Sequence, residues 1–151
     1  MMKKILNAAF DRWFPLTLAA LFALTWVYQV RLVGFFLDDW LYISAYHQGG
    51  LEALQAYAFD DSRPGLLPYV IGLGFELFGY HHLAWQVASL FWRYLGGVGL
   101  WLLIRTVWQQ RREASIFAAI LFALFPFFKH QAFPIAYYQI WVQGALVTFS
   151  F

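Results

Sequence analysis

Apolar runs separated by short polar breaks organise this chain. From Trp13 to Val30 the polar interruptions are Thr17, Thr25 and Gln29. With residues 32–37 added, the run exceeds the ~20 residues that cross a bilayer core. Arg31 sits near its far end, where a long stem lets the charge reach the headgroups. Residues 83–104 form a second run, 114–128 a shorter third that contains Pro126, and 139–151 a fourth. The pattern predicts transmembrane helices over 13–37, 83–104, 114–128 and 139–151, all in a single membrane domain, 1–151. The first run is longer than the ~7–15 residues of a signal-peptide core, and no small-x-small cleavage site follows it. It is therefore read as an uncleaved span. The last run is still apolar at Phe151, so the chain is expected to be the N-terminal part of a longer protein, truncated at its C-terminus.

Residues 38–80 break the pattern. Gly49-Gly50 predicts a break, and residues 51–59 read as a short helix with Leu51, Leu54, Ala58 and Phe59 near one face. Asp60-Asp61-Ser62 and Arg63-Pro64-Gly65 form a polar turn. Residues 66–78 are apolar again, but thirteen residues at ~1.5 Å each are short for a span. They predict an interfacial or re-entrant helix. If 13–37 and 83–104 cross and 66–78 does not, then Lys3, Lys4, Arg12, Arg105, Arg111 and Arg112 all share the cytoplasmic side. The first loop, 38–80, then faces outward with a net charge of −5, from six acids against Arg63 alone. The expected fold is all-α, a polytopic transmembrane helix bundle whose outward-facing first loop holds short interfacial helices.

Composition supports a membrane class. The chain is 62% hydrophobic and 12% charged, with mean hydropathy +0.58; soluble domains are about half apolar and about a quarter charged. A pI near 9.0 does not point to nucleic acid, because the bases cluster at the ends of apolar runs. With no cysteine, disulfide and thiol chemistry are excluded and the redox compartment stays open. Trp13, Trp40, Trp85, Trp108 and Trp141 lie near the ends of runs, as an interfacial aromatic belt requires.

Candidate chemistry begins at Asp38-Asp39, placed where the first span leaves the hydrocarbon and followed by Trp40 and Tyr42. Such a pair suits holding a cation, orienting a hydroxyl or accepting a proton; the plainer alternative is two charges ending a helix in water. Arg93 lies near the middle of the second span, at an insertion cost of about 2.5–3.5 kcal/mol. Gln86, Ser89, Arg93 and Gly97 form one polar or small stripe that should face the bundle. Arg93 is equally open to a structural pairing and to a functional role. No GxGxxG, P-loop or HExxH motif is present, and His47, His81 and His82 lack the spacing of a zinc site.

The order of Asp38-Asp39, Tyr42, Arg63-Pro64-Gly65-Leu66-Leu67 and Leu77-Phe78-Gly79 resembles the N-terminal region of GT-C membrane glycosyltransferases. This group includes the protein O-mannosyltransferases and the bacterial lipid A aminoarabinose transferases. The resemblance covers roughly residues 13–126. It implies an enzyme that moves a sugar from a polyprenyl-phosphate donor to an acceptor hydroxyl on the non-cytoplasmic side. The acceptor would be a lipid, a glycan or a protein, and this segment alone is expected to be inactive. Asp38 would take the acceptor proton, and Asp39 would hold the acceptor or a metal. Arg63 would neutralise the leaving phosphate, with Tyr42 and Arg93 also on the substrate. The resemblance implies no certain cofactor, a divalent metal at Asp38/Asp39 being the one candidate. The expected setting is a multi-pass protein of the bacterial plasma membrane, partnered by the bilayer and the lipid-linked sugar and not by nucleic acid. The alternative from another class is a non-catalytic lipid-carrier transporter or assembly subunit.

Overall fold

The structure, a computed structural model, describes residues 2–32, 34–35, 37–60, 65–124 and 134–151. These form six helices and no strand: α1 (Met2–Leu32), α2 (Asp38–Asp60), α3 (Leu67–Phe78), α4 (His82–Val107), α5 (Arg112–Leu124) and α6 (Tyr138–Phe149). The protein is all-α. Among the described residues, α4 is the one helix long and apolar enough to cross a membrane.

Spacing of four along α1 buries Phe14, Leu18, Phe22, Trp26 and Val30 on one side, while Trp13, Leu16 and Leu24 stay exposed on the other. The helix starts well before Trp13 and stops at Leu32, short of the expected end at 37. Leu37, directly before α2, has φ 36°, a left-handed conformation unusual for leucine and incompatible with one continuous helix from α1 into α2. Asp38 and Asp39 then occupy the first turn of α2. They begin a helix rather than end one, in the place where the helix dipole favours negative charge. The helix over 38–48 is not apparent in the apolar pattern. The break at Gly49-Gly50 is present as a kink, with Gly50 at φ 60°.

Helix α3 matches the expected short apolar helix, and it ends at Gly79, φ 54°. Its Gly74 lies directly against the indole of Trp85 on α4. Trp85 and Trp141 are therefore core residues, 0% and 6% exposed, and not belt residues. Trp13, Trp40 and Trp108 keep the exposure that a belt needs. Of the third expected span, α5 covers the part up to Leu124, and residues 125–128 lie outside the described residues.

Two contacts set the arrangement. Asp11 of α1 pairs with Arg105 of α4 at 2.9 Å and accepts a hydrogen bond from Arg112 of α5 at 2.8 Å. This brings the early part of α1, the end of α4 and the start of α5 to one end of the bundle. Helices α4 and α6 run side by side and parallel: Ser89 Oγ donates to Pro134 O (2.8 Å), Trp92 Nε1 to Tyr138 OH (3.1 Å), and Gly99 meets Thr148 further down. Gln86, Ser89, Arg93 and Gly97 are all buried, so the stripe does face inward.

A Cβ at Gly99 would collide with Thr148 Oγ1 and Cβ. Alanine gains about 0.5–1 kcal/mol over glycine as a helix former. Overpacking costs about 1–3 kcal/mol, and so wins. Gly99→Ala is expected to lower stability, and adding Thr148→Ala to recover part of it. Thermal unfolding in detergent checks this; equal stability of wild type and Gly99→Ala would show that the two helices can separate freely.

Candidate functional site

Successive residues of a helix project about 100° apart, and this rotation separates the two neighbouring carboxylates. Asp39 turns inward and is 0% exposed. Its Oδ1 accepts the backbone N–H of Ile135 at 3.0 Å and of Ala136 at 2.9 Å, in the turn that leads into α6. Asp38 turns outward, is exposed, and lines a cavity of about 420 Å³.

Besides Asp38 itself, three segments build the cavity wall. Leu66 and Leu67 come from the start of α3; Ala136 and Tyr137 from the turn, with Gln139 and Gln143 from α6. Gln139 and Gln143 stand four residues apart, on one face of the helix. The result is one carboxylate facing a phenol and two carboxamides, with leucine side chains at the margin. Carboxamides and a phenol both donate and accept hydrogen bonds, so this set suits a ligand rich in hydroxyl groups, with Asp38 as the group able to accept a proton. Sequence reasoning missed Tyr137, Gln139 and Gln143. The available signal was the pair of glutamines at helical spacing inside an otherwise apolar run.

Two of the other expected site residues, Tyr42 and Arg93, lie elsewhere. Tyr42 is buried, its ring edge-on to Tyr57 at 5.3 Å, and it does not line the cavity. Arg93 is 2% exposed, with its guanidinium 4.4 Å from the Trp26 ring centroid, 4.8 Å from Trp141 and 5.8 Å from Phe22. It joins α1, α4 and α6 through cation–π contacts and does not line the Asp38 cavity either. Arg63 lies outside the described residues; Leu66, three positions further along the chain, is in the cavity wall.

A divalent metal does not fit the acidic pair. Asp38 and Asp39 diverge, Asp39 Oδ1 already holds two amides, and no group of three or more His, Cys, Asp or Glu side chains gathers among the described residues. His47 and His82 line a different, aromatic pocket with Phe35, Trp40 and Tyr80.

The segment that carries Asp38 is braced from α3. The Tyr46 hydroxyl donates to the Glu76 carboxylate, and its ring stacks on Phe75 with centroids 4.4 Å apart. The hydrogen bond to Glu76 first, and partial burial second, hold the Tyr46 phenol above its ordinary pKa of 10.0. The neutral phenol is the donor, so this brace is intact throughout the neutral range and is lost only in strong alkali.

Compared with protein-family models, with curated proteins and with solved structures, the chain matches none.

Proposed function

We propose that the chain belongs to a polytopic membrane glycosyltransferase that moves a sugar from a polyprenyl-phosphate donor to an acceptor hydroxyl on the non-cytoplasmic side, in a bacterial plasma membrane. The observation that carries this reading is the exposed Asp38 carboxylate in a cavity that also presents Tyr137, Gln139 and Gln143, groups that bind hydroxyls, among apolar side chains. That cavity is at the start of α2, directly after α1, whose opposite end holds the Asp11–Arg105–Arg112 cluster. In this reading the clustered bases mark the cytoplasmic end and the acidic segment the outward one.

In the reaction, Asp38 takes the proton of the acceptor hydroxyl as its oxygen attacks the anomeric carbon. The bond from that carbon to the phosphate oxygen breaks, and the lipid phosphate leaves with the electron pair. Arg63 is the cation assigned to that phosphate, since it is the one base in a segment of net charge −5. Gln139 and Gln143 orient hydroxyls. An apolar cavity of about 500 Å³ between α1 and α4, lined by Phe22, Val30, Val87 and Leu90 among others, suits a prenyl chain.

Because the chain has no cysteine, single cysteines report orientation cleanly. Gln48→Cys is expected to react with an impermeant thiol reagent in intact cells, and Gln110→Cys only after permeabilisation. The reverse pattern overturns the orientation. Function is tested by transfer of radiolabelled sugar from polyprenyl phosphate in membranes carrying the full chain. No transfer from any such donor would leave the lipid-carrier transporter or assembly subunit as the reading to pursue.

A further inference from the structure

We infer that Asp39 is a positioning residue that sets the width of the Asp38 cavity by tying two of its walls together. One wall is the start of α2, which carries Asp38. The other is the turn before α6 and the first turns of α6, which carry Ala136, Tyr137, Gln139 and Gln143. Helix α2 packs against α3, and among the described residues its backbone does not come close to that of α6. The Asp39 carboxylate crosses that gap, with Ile135 N and Ala136 N both on its Oδ1. Since Asp38 and Asp39 share a peptide bond, the reach of the Asp39 side chain fixes how far Asp38 stands from the opposite wall.

The chemistry of the tie is specific to an acid-type side chain. The N–H groups ahead of a helix have no partner within it, and α6 receives no capping bond from the side chain at its own N-cap, Tyr137. Asp39 supplies an acceptor from another helix, and a negative charge near the helix N-terminus is favoured by its dipole. Its complete burial keeps water from competing for the two amides. Asparagine retains an oxygen with two lone pairs at the same reach, whereas alanine retains nothing.

This inference rests on the transferase reading only in its activity arm. Hydrogen–deuterium exchange of the full chain in lipid nanodiscs tests the tie itself. In Asp39→Ala, the amides of Ile135 and Ala136 are expected to exchange about ten- to a hundredfold faster, as loss of a charge-assisted bond implies. In Asp38→Asn their exchange should be unchanged. In the transfer assay, Asp39→Ala should act mainly by raising the KM for acceptor, and Asp39→Asn should restore transfer to the extent that it restores slow exchange. Loss of slow exchange and of transfer together in Asp39→Asn would still place the effect in the turn, and so supports the inference. Unchanged exchange in Asp39→Ala overturns it. So does an Asp39→Asn chain that keeps slow exchange yet loses transfer as Asp38→Asn does, because Asp39 would then act in the reaction. If the wild type transfers no sugar, the functional reading fails, and the exchange measurement still decides the tie.

Discussion

Asp38→Asn is expected to lower sugar transfer by about 10²–10⁴-fold, the usual worth of a positioned proton acceptor, at an unchanged level of folded protein. Asparagine matches aspartate in size and still hydrogen-bonds, but it neither carries charge nor takes the proton of an attacking hydroxyl. Folding should be indifferent to the change, because Asp38 is exposed and holds no bond to the packed core among the described residues. The two variants of the adjacent residues therefore separate chemistry from architecture: Asp38→Asn removes the base and leaves the cavity, and Asp39→Ala removes the tie and leaves the base. Near-normal transfer by Asp38→Asn, measured with radiolabelled donor at matched expression, removes Asp38 from the reaction.

Trp85→Ala is expected to cost about 3–5 kcal/mol of stability, the range for truncating a buried large aromatic. Trp85 is 0% exposed and its ring lies 5.1 Å from Phe75, 5.4 Å from Phe78 and 5.4 Å from Tyr138. Edge-on contacts of this kind add about 0.5–1.5 kcal/mol each beyond the area they bury. Its Nε1 donates to Gly79 O at 2.9 Å, closing the turn between α3 and α4. Gly74 presents bare backbone to the indole, so that position offers no side chain to fill the space left behind. Val87→Ala, two residues along on the exposed face, should cost less than about 0.5 kcal/mol. Denaturant titration of both variants in detergent checks the pair; similar losses in the two would mean that Trp85 is not the centre of this core.

Much of the helical layout was legible in the chain. The kink at Gly49-Gly50, the short helix of α3 and the inward stripe of α4 each follow from local signals: paired glycines, an apolar run of limited length, and small or polar residues at helical spacing. What stayed hidden depends on rotation and on distant partners. Nothing local distinguishes Asp38 from Asp39; a 100° step on a helix not apparent in the apolar pattern does so, together with a turn some ninety-six residues further along. Trp85 and Trp141 resemble belt residues by position, yet glycine at 74 and the Arg93 guanidinium give them partners in the core. Arg93 itself has a charge that suggests a substrate, and its three aromatic neighbours come from two other helices.

The Asp11 clamp has a mechanical consequence. It pins α1 to α4 and α5 at one end, while the apolar cavity between α1 and α4 extends to Val30 and Leu83 near the other. At ~1.5 Å per residue, Val30 stands roughly 28 Å along the helix from Asp11. A helix pivoted at its base acts as a lever, and a tilt of about 5° there moves the far end by roughly 2.5 Å. Widening that cavity therefore needs almost no disturbance at the fulcrum, whereas cutting the ion pairs at Asp11 would let the whole arm slide.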